Sequence, residues 1–433
     1  MKLFGTMAVN ENNHLTIGGV DTSTLVENHG TPLYVMDQGL IEENIETFLT
    51  HFQSEKFQTD VVYASKAFLN LAFCKLIKDK GLSMDTLSDG DLFIANRAGF
   101  PMEKIVMHGN SKSLAELNMA LDLEVGHIVV DNKDEFEKLN RLTQERGQTA
   151  QILIRVNPGI EAHTHEYIQT SKYSSKFGES IFDETIFDWF EQVNAAPNIE
   201  LVGIHCHIGS QIFESTSFLQ AVRVMTEFVA AVEAKTGIRL TTLNLGGGFG
   251  VYYTEGDDPI ALAKMLDDMV ETLEAEIEER ELGLTRVMIE PGRSIVCNAG
   301  TTLYTVEARK TTYSGKAYVL VDGGMTDNPR PALYQAEYEG AIANRMNEAA
   351  TENVCVAGKC CESGDVLIQS TDLQAAQVGD ILAIASTGAY TYSMSSNYNS
   401  VRRAAVVMVK DGIDRLVTRR ESFEDLIRND LEG

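Results

Sequence analysis

Four short runs place a chemically capable side chain directly after an apolar stretch. Lys66 follows VVYAS in YASKAF, and His205 and His207 lie in GIHCHIGSQ. Gly246, Gly247 and Gly248 follow TTLNL, and Glu290 opens the run EPGR that ends at Arg293. A lysine among apolar or small residues is desolvated, which lowers an amine's pKa and favours the neutral nucleophile that a Schiff base needs; a solvated surface lysine is the plainer reading. A carboxylate at a buried strand end needs a proton donor or a positive partner, and for Glu290 that is either Arg293 or a protonated pyridine nitrogen. A three-glycine run can turn backbone N–H groups into one concavity that holds a phosphate, with the Ser210 hydroxyl on the same anion. A tight turn and an exposed loop serine are the competing readings.

These residues need elements that bring them to one place. From Val61 to about Glu290, short β-branched runs alternate with longer amphipathic stretches, the pattern of βα units around a parallel sheet. The expected strands are 61–65, 82–87, 104–108, 127–131, 151–157, 201–207, 241–245 and 286–290, with helices over 113–122, 133–146 and 259–280 among those between them. Eight parallel strands with outer helices predict a TIM-type (β/α)8 barrel, whose catalytic groups sit at the C-terminal strand ends and whose seventh and eighth loops commonly hold phosphate. Lys66, His205, His207, the glycines and Glu290 all fall at such ends. Residues 300–410 read instead as Gly- and Asp-punctuated strands of a mostly antiparallel β domain, which the strand-like runs at 14–20 and 31–37 are expected to join. The domains so drawn are 38–292 for the barrel, and 1–37 with 293–433 for the β domain. Residues 159–180 form a long polar insertion, the kind of barrel-mouth loop that is usually functional.

Composition narrows the function classes. With 36 Lys and Arg against 63 Asp and Glu, the net charge is −27, which repels nucleic-acid backbones and anionic membranes. Six cysteines in 433 residues are too sparse for a disulfide scaffold and include no paired CxxC zinc pattern, so no metal is expected. The opening MKLFGTMAVNENNH has no apolar signal core, and a cytoplasmic enzyme is the expectation.

YASKAF, GIHCHIGSQ, NLGGGFG, EPGRSIV, CESGDVL and GAYTYSMSSNYN together resemble the fold type III pyridoxal-phosphate decarboxylases, the alanine-racemase-like barrel group, in order and spacing over nearly the whole chain. Three stretches, 162–178, 322–334 and 388–400, are similar to the branch that acts on meso-2,6-diaminopimelate, rather than to the ornithine and arginine branches. The resemblance implies that Lys66 carries pyridoxal 5'-phosphate, His207 stacks on its ring and Glu290 keeps the ring nitrogen protonated. Ser210, Gly246, Gly247, Gly248 and Tyr390 would hold the phosphate. Arg293, Arg330 and Tyr334 would bind the retained carboxylate, with Tyr390 beside them and Glu362 on the distal ammonium. Cys361 would protonate the carbon left by decarboxylation, with the adjacent Cys360 as the alternative. The products would be L-lysine and carbon dioxide, and the chain a homodimer in which Cys361, Glu362 and Tyr390 complete the partner's barrel. Another basic amino acid or carboxynorspermidine is the alternative substrate; a racemase and a cofactor carrier are the other classes weighed. Two departures stand out: SDGDL at 88–92 replaces the usual Ser-Gly-Gly-Glu run, and SSKFG lacks the acid that often precedes its last four residues.

Overall fold

The computed structural model describes residues 1–160 and 175–433. The chain divides into two compact units, Ile45–Gly250 with Pro259–Gly292, and Met1–Asn44 with Val251–Asp258 and Arg293–Gly433. Residues 38–44 and 251–258, drawn with the barrel from sequence, thus pack with the β unit.

All eight expected barrel strands form. They are β1 (Gln58–Ala64), β2 (Ser83–Thr86), β3 (Ile105–Met107), β4 (His127–Val130), β5 (Ala150–Asn157), β6 (Ile199–His205), β7 (Thr242–Asn244) and β8 (Arg286–Ile289). Each pairs in parallel with the next, and β8 returns to β1, so the sheet closes and has no open edge. Strands buried on both faces are mostly apolar, which is why Ile128–Val130 in β4 and Ile152–Ile154 in β5 carry no polar alternation. Val62, Val106, Val129, Leu153 and Met288, from five different strands, meet in one cluster, each side chain contributing about 1.5–3 kcal/mol by burial. The barrel centre is therefore packed, and only its strand ends are free for chemistry.

Helix starts are written into the loops that leave β1 to β4. Asn70, Ser88, Ser113 and Asn132 each accept a backbone N–H from the first helical turn, and Ser113 forms a reciprocal capping box with Glu116. In SDGDL, the Asp91 carboxylate accepts the Leu87 N–H at 3.0 Å while Ser88 receives the Asp91 N–H at 3.3 Å. The shorter acid therefore closes the helix start that follows β2. The insertion expected at 159–180 and the resemblance stretch 162–178 fall mostly on residues 161–174, outside the described residues.

In the β unit, the long strand Gly300–Thr311 runs antiparallel to Leu33–Asp37, Ala317–Val321 and Ile381–Ile384. Leu33–Asp37 also pairs in parallel with Ala405–Lys410, so the run at 31–37 lies inside the C-terminal sheet as expected. The run at 14–20 joins the same unit differently. It makes a separate three-stranded sheet (Ala8–Val9, Leu15–Ile17, Val20–Asp21) whose Leu15 and Ile17 pack with Val35, Leu303 and Val407.

Candidate active site

The barrel unit gathers a polar ring at the C-terminal strand ends. Lys66 stands in a single turn of 3-10 helix, Ser65–Ala67, directly after β1. Its neighbours Ser65 and Ala67 are buried but Lys66 is exposed, because the turn lifts the side chain out of the core. Asp85, next to last in β2, accepts the Ser65 N–H on its carboxylate at 2.7 Å. Burial pushes Asp85 up to about 6, opposed by the charge of His108.

Glu290, one residue past β8, is buried, and three side chains donate to it. His108 Nε2 lies 2.7 Å from Oε1, Asn244 Nδ2 donates to the same oxygen at 2.8 Å, and His205 Nε2 lies 3.1 Å from Oε2. Burial opposes the charge on Glu290 most strongly, yet His108 and His205 together outweigh it and hold the carboxyl well below its usual range. These partners are imidazoles and an amide, not the Arg293 guanidinium weighed from sequence. Burial also pushes His205 down to about 4, leaving it neutral at pH 7 with its proton on Nε2 and a buried Nδ1 that has no partner among the described residues. His207 is held well below the ordinary imidazole value by burial and then by the Lys66 charge.

The glycine run is shaped by close approach. At Gly246, with φ +68°, a Cβ would lie 2.5 Å from the Cys206 carbonyl oxygen, and at Gly247 it would lie 2.1 Å from that of Glu290. Only glycine lets the chain leaving β7 thread between the ends of β6 and β8. In the glycine run, the Gly246 N–H donates to Asn244 Oδ1 at 2.9 Å and the Gly247 N–H to His207 Nδ1 at 3.2 Å. Those bonds orient Asn244 and His207. Gly248 packs against the carbonyl of Gly209, which brings it beside the backbone of Ser210.

The β unit holds a second cluster, built on guanidiniums and phenols. Arg293 is buried, donates to the Tyr253 hydroxyl and has its guanidinium carbon 4.8 Å from the Tyr390 ring centre. Arg330, also buried, donates from Nε to the Tyr338 hydroxyl at 2.9 Å and faces the rings of Tyr253, Tyr334 and Tyr390 at 5.5–5.7 Å. Among the described residues no carboxylate lies within ion-pair distance of Arg330. Tyr390 sits at φ +60°, a left-handed conformation that costs a side-chain-bearing residue about 1–3 kcal/mol. On the turn bearing CESGD, Cys361 and Glu362 are exposed, and buried Asp365 anchors them by accepting N–H groups from Met325 at 2.6 Å and Cys360 at 2.7 Å. Burial pushes the Cys360 thiol up to about 11, which makes it a poor source of thiolate.

The structure thus groups Lys66, His207, Ser210, the glycines and Glu290 at one barrel end, and Arg293, Arg330, Tyr334 and Tyr390 in one cluster of the β unit. Sequence reasoning missed His108, Asn244, Tyr253, Tyr338 and Asp365. A signal existed for His108, the last residue of the strand run KIVMH and so at a C-terminal strand end like the others.

A covalently capable amine, a half-buried imidazole and a buried ionised carboxylate at the mouth of a (β/α)8 barrel would suit a pyridine-based carbonyl cofactor. The family described as "pyridoxal-dependent decarboxylase, pyridoxal binding domain" matches residues 38–297, and the chain belongs to the fold type III pyridoxal-dependent decarboxylases. Its relatives sharpen this to the diaminopimelate decarboxylases. Those of Halalkalibacterium halodurans and Bacillus subtilis are 47% and 46% identical, each over 100% of this chain and 98% of the relative. The crystal structure of the M. jannaschii diaminopimelate decarboxylase in complex with L-lysine superposes with a TM-score of 0.92 at 32% identity, covering 99% of this chain and 98% of that one.

Proposed function

We propose that the chain decarboxylates meso-2,6-diaminopimelate to L-lysine and carbon dioxide, with pyridoxal 5'-phosphate held in the barrel. When bound, the cofactor supplies an electron-accepting ring that takes up the electron pair left on carbon as carbon dioxide departs. Lys66, exposed at the end of β1, is the amine that holds it covalently. Glu290, ionised and buried, would accept from its ring nitrogen, and His207 would pack on the ring. Ser210, Gly248 and Tyr390 take the phosphate, while Gly246 and Gly247 orient the side chains around it.

The observation that carries the substrate is Arg330. Among the described residues this buried guanidinium has phenols as side-chain partners and no carboxylate counter-ion, and a carboxylate that survives the reaction would supply one. Arg293, Arg330 and Tyr334 bind this retained carboxylate, Glu362 binds the ammonium beside it, and Cys361 donates its thiol proton to the carbon. Exposed Cys361 and Glu362 suit a homodimer in which each subunit's turn serves the other's barrel. The described residues contain no helix long and apolar enough to cross a membrane, and all six cysteines are free, as a reducing cytoplasm favours.

The test is carbon dioxide release with added pyridoxal phosphate, offering meso-diaminopimelate, L-lysine, L-ornithine and L-arginine in parallel. Release from the first alone is expected, together with loss of the visible cofactor absorbance in Lys66→Ala. Release from one of the others would discard the retained-carboxylate argument.

A further inference from the structure

We infer that His108 is a positioning residue for the cofactor's ring nitrogen: with Asn244 it occupies Glu290 Oε1, which leaves one acceptor position, on Oε2, without a donor among the described residues. This rests on the proposed cofactor and deepens it. A carboxylate offers about four lone-pair positions, two on each oxygen. His108 at 2.7 Å and Asn244 at 2.8 Å take those of Oε1, and His205 at 3.1 Å takes one of Oε2. A single N–H donor then completes the set, which is what a protonated pyridine nitrogen brings.

The three donors are held from behind. Asn244 cannot flip its amide, because its Oδ1 receives the Gly246 N–H at 2.9 Å. The backbone N–H of His108 donates to the Thr86 carbonyl at 2.7 Å, which extends the β3 edge onto β2. The turn after His108 is stapled by Lys112, whose buried Nζ donates to the Gly109 carbonyl at 2.8 Å, the Val129 carbonyl at 2.7 Å and Glu135 Oε1 at 2.7 Å. A buried ion pair is weak as a source of stability but strong in fixing geometry, and here it fixes the loop that aims His108. The His108 and His205 rings meet edge to face, with centres 4.7 Å apart, so neither can swing away without the other. With His108 removed, Oε1 keeps only the Asn244 donor and the carboxylate loses one of its three restraints.

The experiment uses the holoenzyme loaded with pyridoxal phosphate labelled with nitrogen-15 in the ring, and compares wild type with His108→Phe and His108→Gln. Phenylalanine keeps the ring packing against His205 and removes the donor; glutamine keeps a donor on a similar reach. His108→Phe is expected to move the ring nitrogen resonance toward its unprotonated position and to weaken cofactor binding. Its kcat should fall about 10- to 100-fold with little change in KM, the factor carried by a hydrogen bond to a charged group. His108→Gln is expected to recover most of each signal, and His108→Leu, which also removes the donor, takes the place of the phenylalanine variant if that one does not fold. A wild-type nitrogen resonance in folded His108→Phe overturns the inference while leaving the cofactor assignment intact. An unprotonated ring nitrogen in the wild type would instead sink the role proposed for Glu290.

Discussion

At the scale of single residues, what matters at this site is how burial is compensated. Glu290 and Arg330 are both buried charges, and they are compensated in opposite ways. Glu290 has three donors and stays ionised. Arg330 has phenol partners and no acid among the described residues, which is why the proposed function assigns it a ligand carboxylate. Replacing it with methionine, which keeps length and apolar stem, should therefore act on substrate binding more than on folding. Arg330→Met is expected to raise KM for meso-diaminopimelate about tenfold or more at unchanged cofactor content, the loss typical of a charge-assisted pair. Steady-state kinetics beside an absorbance spectrum would check it, and an unchanged KM would remove Arg330 from the binding site. Lys66, Glu290 and His207 were legible in the sequence because each ends an apolar run, where a polar side chain is out of place. Tyr253 and Tyr338 were not, because a tyrosine in a polar stretch has many uses and only contact shows which guanidinium it meets.

At the scale of elements, the barrel's chemistry depends on how strands end, and its stability on how they begin. His127, the first residue of β4, is buried, and that burial, with the nearby Arg286 charge, pushes its pKa down to about 4. An unfolded histidine titrates near 6.5, so between these values unfolding takes up a proton. Stability from this group is thus complete above about pH 6.5 and is lost as pH falls toward 4. Other buried groups pull the opposite way, Asp85 toward about 6 and Asp327 toward about 7, so the total curve does not isolate the histidine. The difference between wild type and His127→Gln does. The variant should gain relative stability as pH drops from 6.5 to 4, by on the order of 3 kcal/mol at most, read from urea unfolding at stepped pH. Parallel curves would mean that the native histidine takes up protons freely.

At the scale of the whole molecule, the proposed homodimer makes a prediction that no single-site argument can. If Cys361 serves the partner's barrel, a Lys66→Ala chain and a Cys361→Ala chain, each inactive as a homodimer, complement one another. Half of a randomly mixed population is heterodimer, and each heterodimer has one intact site of two, so co-expression should restore about a quarter of wild-type turnover. Activity no higher than that of the parents would place Cys361 with its own subunit's barrel. Each homodimer is its own control, since Cys361→Ala retains the cofactor absorbance and Lys66→Ala does not.

The sequence alone determined the alternation of eight strands with helices, the β domain and its capture of residues 31–37, and the strand-end positions of Lys66, His207 and Glu290. These follow from periodicity and from the cost of polar groups in apolar runs, both local properties of the chain. Tertiary structure alone decided which donors meet Glu290, that Gly246 and Gly247 spend their N–H groups on Asn244 and His207, that Lys66 is exposed, and that the run at 14–20 forms its own small sheet. His108 and Glu290 are 182 residues apart, and their 2.7 Å contact exists because the parallel barrel brings the ends of β3 and β8 to one rim. No local pattern encodes such a distance; barrel closure sets it.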